Sequence, residues 1–370
     1  MKNSIKSIAS KATMLGLSIA SVVAIAAPAQ AEVKLPNGLT FGSAIFADYT
    51  GQTTATGGVT SAVQTTADDA ANGFHVSRAY LYLVDKVDDN ITARITLDSQ
   101  TAPKAAPSVF LKHAYIDYKL NDNATVEGGI GGTPWVSFVE KLWGYRYLGS
   151  TANIAGKVFA DKNGLLSSAD GGVSVFGTAG AFNYQVGAYN GEGYGGVANG
   201  GGLKIAGRVG YEADMGLGVA AYYDTESKRL GTLNYNPTRT AAVVYFKQPM
   251  FTIGGEYLMA SDFSGTVAVA GVPTTAWADG KGFSVFANGL VTDNIRLFAR
   301  YDSATPNTRT AYAAGTGAAT LNRTNTVVTG GVSLIMAKGQ ELTLDYSSAN
   351  DGAATATTVN TLSVNLMTGF

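Results

Sequence analysis

The sequence predicts an all-β chain: a 16-stranded antiparallel transmembrane β-barrel with short turns at one end and long loops at the other. Three observations lead to this prediction. Apolar and polar residues alternate with a period of two beyond the first thirty or so residues, as in strands with two unlike faces. The connections between these segments are alternately short and long. Charged residues make up only 14% of the 370 residues, whereas 46 residues are glycine.

The composition excludes several classes of protein. With 46% apolar residues and a formal net charge of −1, the chain is neither disordered nor a basic nucleic-acid binder. It contains no cysteine and only two histidines, so a disulfide framework, a thiolate site or a histidine-rich metal centre is not expected. We therefore expect no catalytic residues, no metal and no cofactor.

The first 31 residues have the organisation of a secretory signal peptide. Lys2, Lys6 and Lys11 form a positive region, residues 12–27 are apolar, and Ala29-Gln30-Ala31 is a small-x-small cleavage site. We expect cleavage near Ala31, which leaves 32–370 as the barrel. An N-terminal membrane anchor is the alternative.

Sixteen segments alternate after the leader. In residues 91–98 one face carries Ile91, Ala93, Ile95 and Leu97, and the other carries Thr92, Arg94, Thr96 and Asp98. The segments begin near Leu39, Phe74, Ile91, Val109, Ala124, Gly171, Phe182, Leu203, Leu217, Arg239, Phe251, Gly282, Ile295, Thr324, Glu341 and Ala356.

The connections between the segments form two sets. Seven are tight turns rich in Asn, Asp, Gly and Pro. The eight long ones are 51–73, 100–108, 133–170, 190–202, 227–237, 261–280, 304–322 and 348–354. Short turns at one end, long loops at the other and an even strand number are typical of barrels in the bacterial outer membrane. A secreted β-sandwich or adhesin is the alternative.

Several segments resemble a known family. The stretch that begins Phe74-His-Val-Ser-Arg-Ala-Tyr-Leu81, together with 111–118 and Gly131-Gly-Thr-Pro-Trp135, resembles the phosphate-selective porin O and P family of Gram-negative bacteria. The final Phe370 resembles the C-terminal signal read by the barrel-assembly machinery. The resemblance implies an outer-membrane porin, surrounded by outer-membrane lipid and lipopolysaccharide, and a homotrimer.

The longest connection, loop 133–170, is the predicted constriction. It is rich in aromatic residues and carries Glu140, Lys141 and Arg146, and by resemblance to general porins we expect it to fold into the lumen. An external lid or an oligomer contact is the alternative. Charged residues on the inward strand faces are the other candidate pore residues: Arg78, Arg94, Asp98, Asp117, Glu127, Arg208, Glu256, Arg296 and Arg300. Arg78 fits least well, because it shares its parity with the apolar Phe74 and Val76.

Charges of both signs are costly in an apolar core but stay hydrated in a wet lumen, where they set ion preference. The sequence therefore predicts a porin for passive diffusion of small hydrophilic solutes and ions. An anion- or phosphate-preferring channel is one alternative, and a non-transport barrel such as an adhesin or surface structural protein is another.

Overall fold

The computed structural model describes residues 33–34, 38–56, 59–61, 72–100, 107–149, 156–196, 202–230, 233–269, 272–305, 310–313, 316–320, 324–352 and 356–369. The predicted leader with its cleavage site at Ala31, and the terminal Phe370, lie outside these residues, so the predictions made for them stay predictions.

Sixteen long strands form the framework. The first eight are β1 (Leu39–Thr56), β2 (Gly73–Lys86), β3 (Ile91–Gln100), β4 (Ser108–Asn121), β5 (Ala124–Gly132), β6 (Ala169–Ala179), β7 (Phe182–Tyr189) and β8 (Lys204–Glu212). The others are β9 (Leu217–Glu226), β10 (Thr238–Lys247), β11 (Phe251–Val269), β12 (Val272–Thr292), β13 (Ile295–Thr305), β14 (Asn325–Ala337), β15 (Gln340–Asn350) and β16 (Thr357–Gly369).

Each strand pairs antiparallel with the next, and the last strand pairs with the first. The closing ladder runs from Ala44 opposite Gly369 to Thr56 opposite Thr357. The chain is thus a closed 16-stranded antiparallel barrel, which confirms the predicted fold class. Closure gives every strand two hydrogen-bonded neighbours, as a sheet in lipid requires.

Short elements supplement the barrel. Val33–Lys34 and Val59–Ser61 pair with β1, and two small hairpins, Lys228–Leu230 with Leu233–Tyr235 and Thr310–Ala313 with Thr316–Thr320, lie in long connections. Two helices, α1 (Val136–Trp143) and α2 (Phe159–Lys162), lie between β5 and β6. Of the helices in the described part of the chain, none has both the length and the hydropathy to cross a bilayer.

The period-two pattern becomes two faces of the wall. In β9 the side chains of Ala220, Tyr222 and Asp224 are buried, whereas those of Val219 and Tyr223 are exposed on the outside. Exposed apolar residues recur around the outer face, among them Ile205, Val209, Val244, Ile253, Val285 and Leu297. An outer face of this kind favours a hydrocarbon environment over water.

The tight turns follow local chemistry. In the β2–β3 turn the Asp88 carboxylate accepts hydrogen bonds from the backbone N–H groups of Asn90 and Ile91, both at 2.7 Å. Gly216 and Gly339 occupy two other turns with φ of 88° and 76°, in the left-handed region where glycine is favoured.

Two predicted loops are partly strand. Residues 51–56 extend β1, and most of 261–280 continues β11 and β12 as a hairpin in which Phe263 pairs with Ala278 and Val269 with Val272. The register shifts between Ala260 and Phe263, where Asp262 has φ of 56°. The segment is rich in Thr and Val, which favour the extended backbone, so pairing continues beyond the regular ladder.

Candidate channel constriction

Loop 133–170 supplies half of the buried apolar residues in the described part of the chain. Its last two residues already belong to β6, and residues 150–155 lie outside the described part of the chain. The loop leaves β5 at Gly132, whose carbonyl accepts a hydrogen bond from Gln185 Nε2 at 2.8 Å. Arg208 Nε donates to the carbonyl of Pro134 at 2.9 Å. These two hydrogen bonds from inward side chains of β7 and β8 fix the start of the loop on the inner side of the wall.

Helix α1 has one buried face and one open face. Val136, Val139, Leu142 and Trp143 are buried, at the spacing that places them on one side of a helix. The Trp143 ring packs edge-on against Phe286 of β12 and Phe298 of β13, with centroids 6.0 and 5.9 Å away. The helix therefore lies against the β12–β13 wall.

After α1 the loop is attached further round the same wall. The Tyr145 ring lies 4.0 Å from that of Phe298, measured between centroids. Tyr147 donates its hydroxyl to Glu341 Oε2 at 2.8 Å and lies 2.7 Å from Thr343 Oγ1, both on β15. The backbone N–H of Gly149 donates to Asn365 Oδ1 of β16 at 3.0 Å. These contacts carry the loop across the inward faces of four strands.

Glu256 and Arg300 lie beneath the loop and not on the open lumen. Glu256 Oε2 accepts a hydrogen bond from Trp135 Nε1 at 3.2 Å, and Arg300 Nη1 donates to the carbonyl of Lys157 at 2.7 Å. Lys162 forms an ion pair with Asp302 in the same region. The returning loop covers both side chains, so they hold the loop against the wall, and their role in selectivity stays a prediction.

The opposite wall carries cations that reach the lumen through β-bulges. The β1–β2 register shifts so that Phe46 pairs with Arg78 and Ala47 with Val76, which leaves Ser77 unpaired. The β3–β4 register shifts in the same way around Lys112. Each bulge reverses the parity of the strand. Arg78 therefore points inward, although it shares its parity in the sequence with the exposed Phe74.

Arg78 and Lys112 share one carboxylate. Arg78 forms an ion pair with Asp98 of β3, and Lys112 Nζ lies 3.6 Å from Asp98 Oδ2. The Tyr80 hydroxyl accepts hydrogen bonds from both cations, at 3.3 and 3.1 Å. The Asp98 side chain is 0% exposed, whereas those of Arg78 and Lys112 keep 7% and 9% of their surface exposed.

The loop contributes an acid to this cluster. Glu140 on α1 forms an ion pair with Arg146, with 2.9 Å between Oε1 and Nε. Burial raises the pKa of Glu140, and the positive charges of Arg146, Lys112 and Arg78 oppose that rise. Arg146 is thus the ion-pair partner of Glu140 on the loop, and Lys112 and Arg78 add to the positive charge around it. We call Arg78, Asp98, Lys112, Glu140 and Arg146 the constriction cluster.

The other predicted residues lie elsewhere on the inward surface. The Arg94 guanidinium lies 5.0 Å from the Tyr82 ring centroid, and Asp117 pairs across the ladder with Glu127. Lys141 is exposed on α1. Arg208 stacks on the Phe138 ring at 4.1 Å, and Arg296 Nη1 lies 3.6 Å from Glu341 Oε1, beside the Tyr147 attachment. These residues border the cluster or support the loop, and their role in selectivity stays a prediction.

Sequence reasoning missed Lys112 as a pore residue and Asn365 as an attachment point. Lys112 lies between Leu111 and His113, and only the bulge makes it face inward beside His113. Asn365 is inward by parity, but nothing local indicates a contact with Gly149. Among the described residues, no group of three or more histidine, aspartate or glutamate side chains is arranged to hold a metal ion.

Comparison with known proteins identifies the fold. No protein-family model matches the sequence, and no curated protein matches it. Among solved structures, OmpF of Salmonella typhi in complex with daunomycin matches with a TM-score of 0.62 and 14% identity, over 92% of this chain and 100% of that one. An anion-selective porin from Comamonas acidovorans matches with a TM-score of 0.59 and 12% identity, over 90% and 99%.

A third similar structure is OmpT, an outer membrane protein of Vibrio cholerae, folded in vitro and in its trimer form. It matches with a TM-score of 0.54 and 15% identity, over 92% of this chain and 100% of that one. Identities this low carry the fold alone. The barrel described above, together with these matches, gives the chain the fold of the solved bacterial outer-membrane porins.

Proposed function

We propose that this protein is a channel in the bacterial outer membrane, through which small hydrophilic solutes and ions diffuse passively, and that loop 133–170 is its constriction. Passive diffusion requires no catalytic residue and no cofactor. The resemblance noted in the sequence and the fold of the similar structures support the outer-membrane location. The trimer form of the similar Vibrio cholerae protein supports a homotrimer.

One observation carries the proposal. The loop is attached to the inward faces of β12 to β16 by buried aromatic rings and hydrogen bonds, and it carries the Glu140–Arg146 ion pair. A barrel of sixteen strands is wide enough for an aqueous passage. Fixed charges of both signs beside such a passage select among solutes by charge while they stay hydrated.

The test is conductance of the purified full-length protein in planar bilayers. A diffusion channel gives stepwise ohmic currents that scale with salt concentration. Protein that is correctly folded by circular dichroism and heat-modifiable mobility, yet gives no steps, would overturn the proposal. It would then favour the non-transport alternative, an adhesin or surface structural barrel.

A preference for anions such as phosphate is the second candidate. The observation in its favour is that Arg78 and Lys112 share the single carboxylate of Asp98, which leaves one positive charge unbalanced. The name of the Comamonas acidovorans porin and the resemblance to the phosphate-selective family point the same way. Reversal potentials in a salt gradient measure the preference, and block of chloride current by micromolar phosphate would identify a phosphate site.

A further inference from the structure

A cavity of about 650 Å³ lies at the long-loop end of the barrel, where loop 133–170 returns to the wall. We call it the vestibule cavity. Its walls combine the first residues of β4, β8 and β10 with the connections that follow β7 and β9. Its size falls within the range of about 300–1,000 Å³ typical of small-ligand sites.

One corner of the vestibule cavity is aromatic. Phe110 of β4 and Tyr194 of the β7–β8 connection both line it, and their rings stack with centroids 5.6 Å apart and an interplanar angle of 13°. Leu165 and Leu166 extend the apolar surface. A flat surface of this kind packs against apolar ligand surface, including the C–H faces of a sugar ring.

Two of the three cations that line the cavity, Arg239 and Lys228, form ion pairs, and the third is Lys204. Arg239 Nη1 lies 3.0 Å from Asp224 Oδ1, and Lys228 Nζ lies 2.9 Å from Glu226 Oε1. The side chains of Asp224 and Glu226 are 0% exposed, so they neutralise the cations from behind the cavity wall. The lining also carries two acids, Asp161 and Glu192, against the third cation, Lys204. The cavity therefore has no excess of positive charge, which favours a neutral polar ligand over an anion.

Two buried polar atoms of the cavity side chains lack a hydrogen-bond partner among the described residues. The two atoms are Arg239 Nε and Glu192 Oε2, and both residues line the cavity. One is a donor and the other an acceptor. A hydroxyl group donates and accepts at once, so a ligand with several hydroxyl groups satisfies both atoms, whereas a carboxylate satisfies only the donor.

We propose that the vestibule cavity binds a neutral polyhydroxylated solute, a mono- or disaccharide, before the solute reaches the constriction. The ring packs on Phe110 and Tyr194, and its hydroxyl groups bond to Arg239 and Glu192. This inference rests on the proposed channel function, because it names the class of solute that such a channel would favour.

The test is titration of single-channel conductance with maltose, with a polyethylene glycol of matched hydrodynamic radius as the solute control. We expect maltose to reduce the current along a saturating curve and the polymer to reduce it without saturation. Phe110→Ala should raise the half-saturating concentration of maltose by about 10-fold, a ratio that corresponds to about 1.4 kcal/mol of binding free energy. Phe176→Ala, which removes an inward aromatic ring beside a different cavity near the short turns, should leave the maltose curve unchanged.

Maltose that acts like the polymer, or equal weakening by the two variants, would overturn the sugar site while the channel proposal stands. Saturating block by benzoate at lower concentrations than maltose would overturn the assignment to a neutral ligand. Calorimetric titration of maltose into the purified protein reports on the site even without current. Absence of conductance with retained binding would therefore count against the channel function alone.

Discussion

Arg78 and Lys112 enter the lumen beside two β-bulges, one in each of the strands that flank β3. The bulges lie at Ser77 in β2 and at Lys112 in β4, and Asp98 of the intervening strand receives both cations. Each bulge adds one residue to its strand and so turns the next side chain inward. The arrangement concentrates positive charge around Asp98 on the inward face of β3.

Lys112→Gln should lower the anion preference of the channel. Two unit charges 4 Å apart in water interact by about 1 kcal/mol. Loss of the Lys112 charge should therefore change the permeability ratio of chloride to potassium by roughly fivefold. Reversal potentials at 0.01 M salt, where the Debye length is about 30 Å, measure the ratio. Lys119→Gln is the matched control, since Lys119 lies at the other end of β4 and pairs with Asp122 at 2.7 Å. Equal shifts in the two variants would show that general lumen charge is responsible.

Glu140 should make selectivity depend on pH. Burial raises the pKa of its carboxyl, so acidification neutralises Glu140 at a higher pH than an exposed glutamate. The constriction cluster then loses a negative charge, and chloride preference should rise as pH falls. Glu140→Gln should show the higher chloride preference already at neutral pH and lose this step. A step that persists in the variant would assign the titration to another carboxyl.

Tyr147→Phe should loosen the loop while the barrel stays intact. The hydroxyl that it removes lies within hydrogen-bonding distance of Glu341 and Thr343. A buried group left without its partner costs about 1–3 kcal/mol. We expect more open-channel current noise and an unchanged unfolding profile of the barrel. Tyr346→Phe removes a hydroxyl that bonds Asn360 at 2.8 Å on the outer face, and its noise should match that of the wild type.

A charged side chain on the outer face should destabilise the barrel. Val209 is 53% exposed on β8, on the side opposite to Arg208. Val209→Lys should destabilise the barrel in lipid by about 2–4 kcal/mol if the position is near the bilayer midplane. Val209→Ala, which adds no charge, should cost far less. Unfolding in urea from lipid vesicles measures both, and equal values would contradict a lipid-facing position.

The fold could be predicted from the sequence because alternation and turn chemistry are local signals that repeat in every strand. Segment starts such as Leu39, Ile91 and Leu217 coincide with the first residues of their strands. The hairpin that continues β11 and β12 was missed, because its residues lack the sharp alternation of a two-faced wall.

The candidate site was only partly predictable. Parity places Arg94, Asp98, Asp117 and Glu127 inward, as the structure has them. Parity fails at Arg78 and Lys112, since a bulge depends on pairing with the neighbouring strand. Contacts of the loop, such as Gly149 with Asn365, join residues 216 positions apart and leave no local pattern.

The most direct test of the account is the single-channel conductance of a variant that lacks residues 143–157. The deletion removes Trp143, Tyr145 and Tyr147 but no strand pairing of the described residues, so the barrel should still assemble and show its heat-modifiable mobility. If loop 133–170 narrows the lumen, both the conductance and the size limit for neutral polymers increase. An assembled variant with the conductance and size limit of the wild type would contradict the constriction.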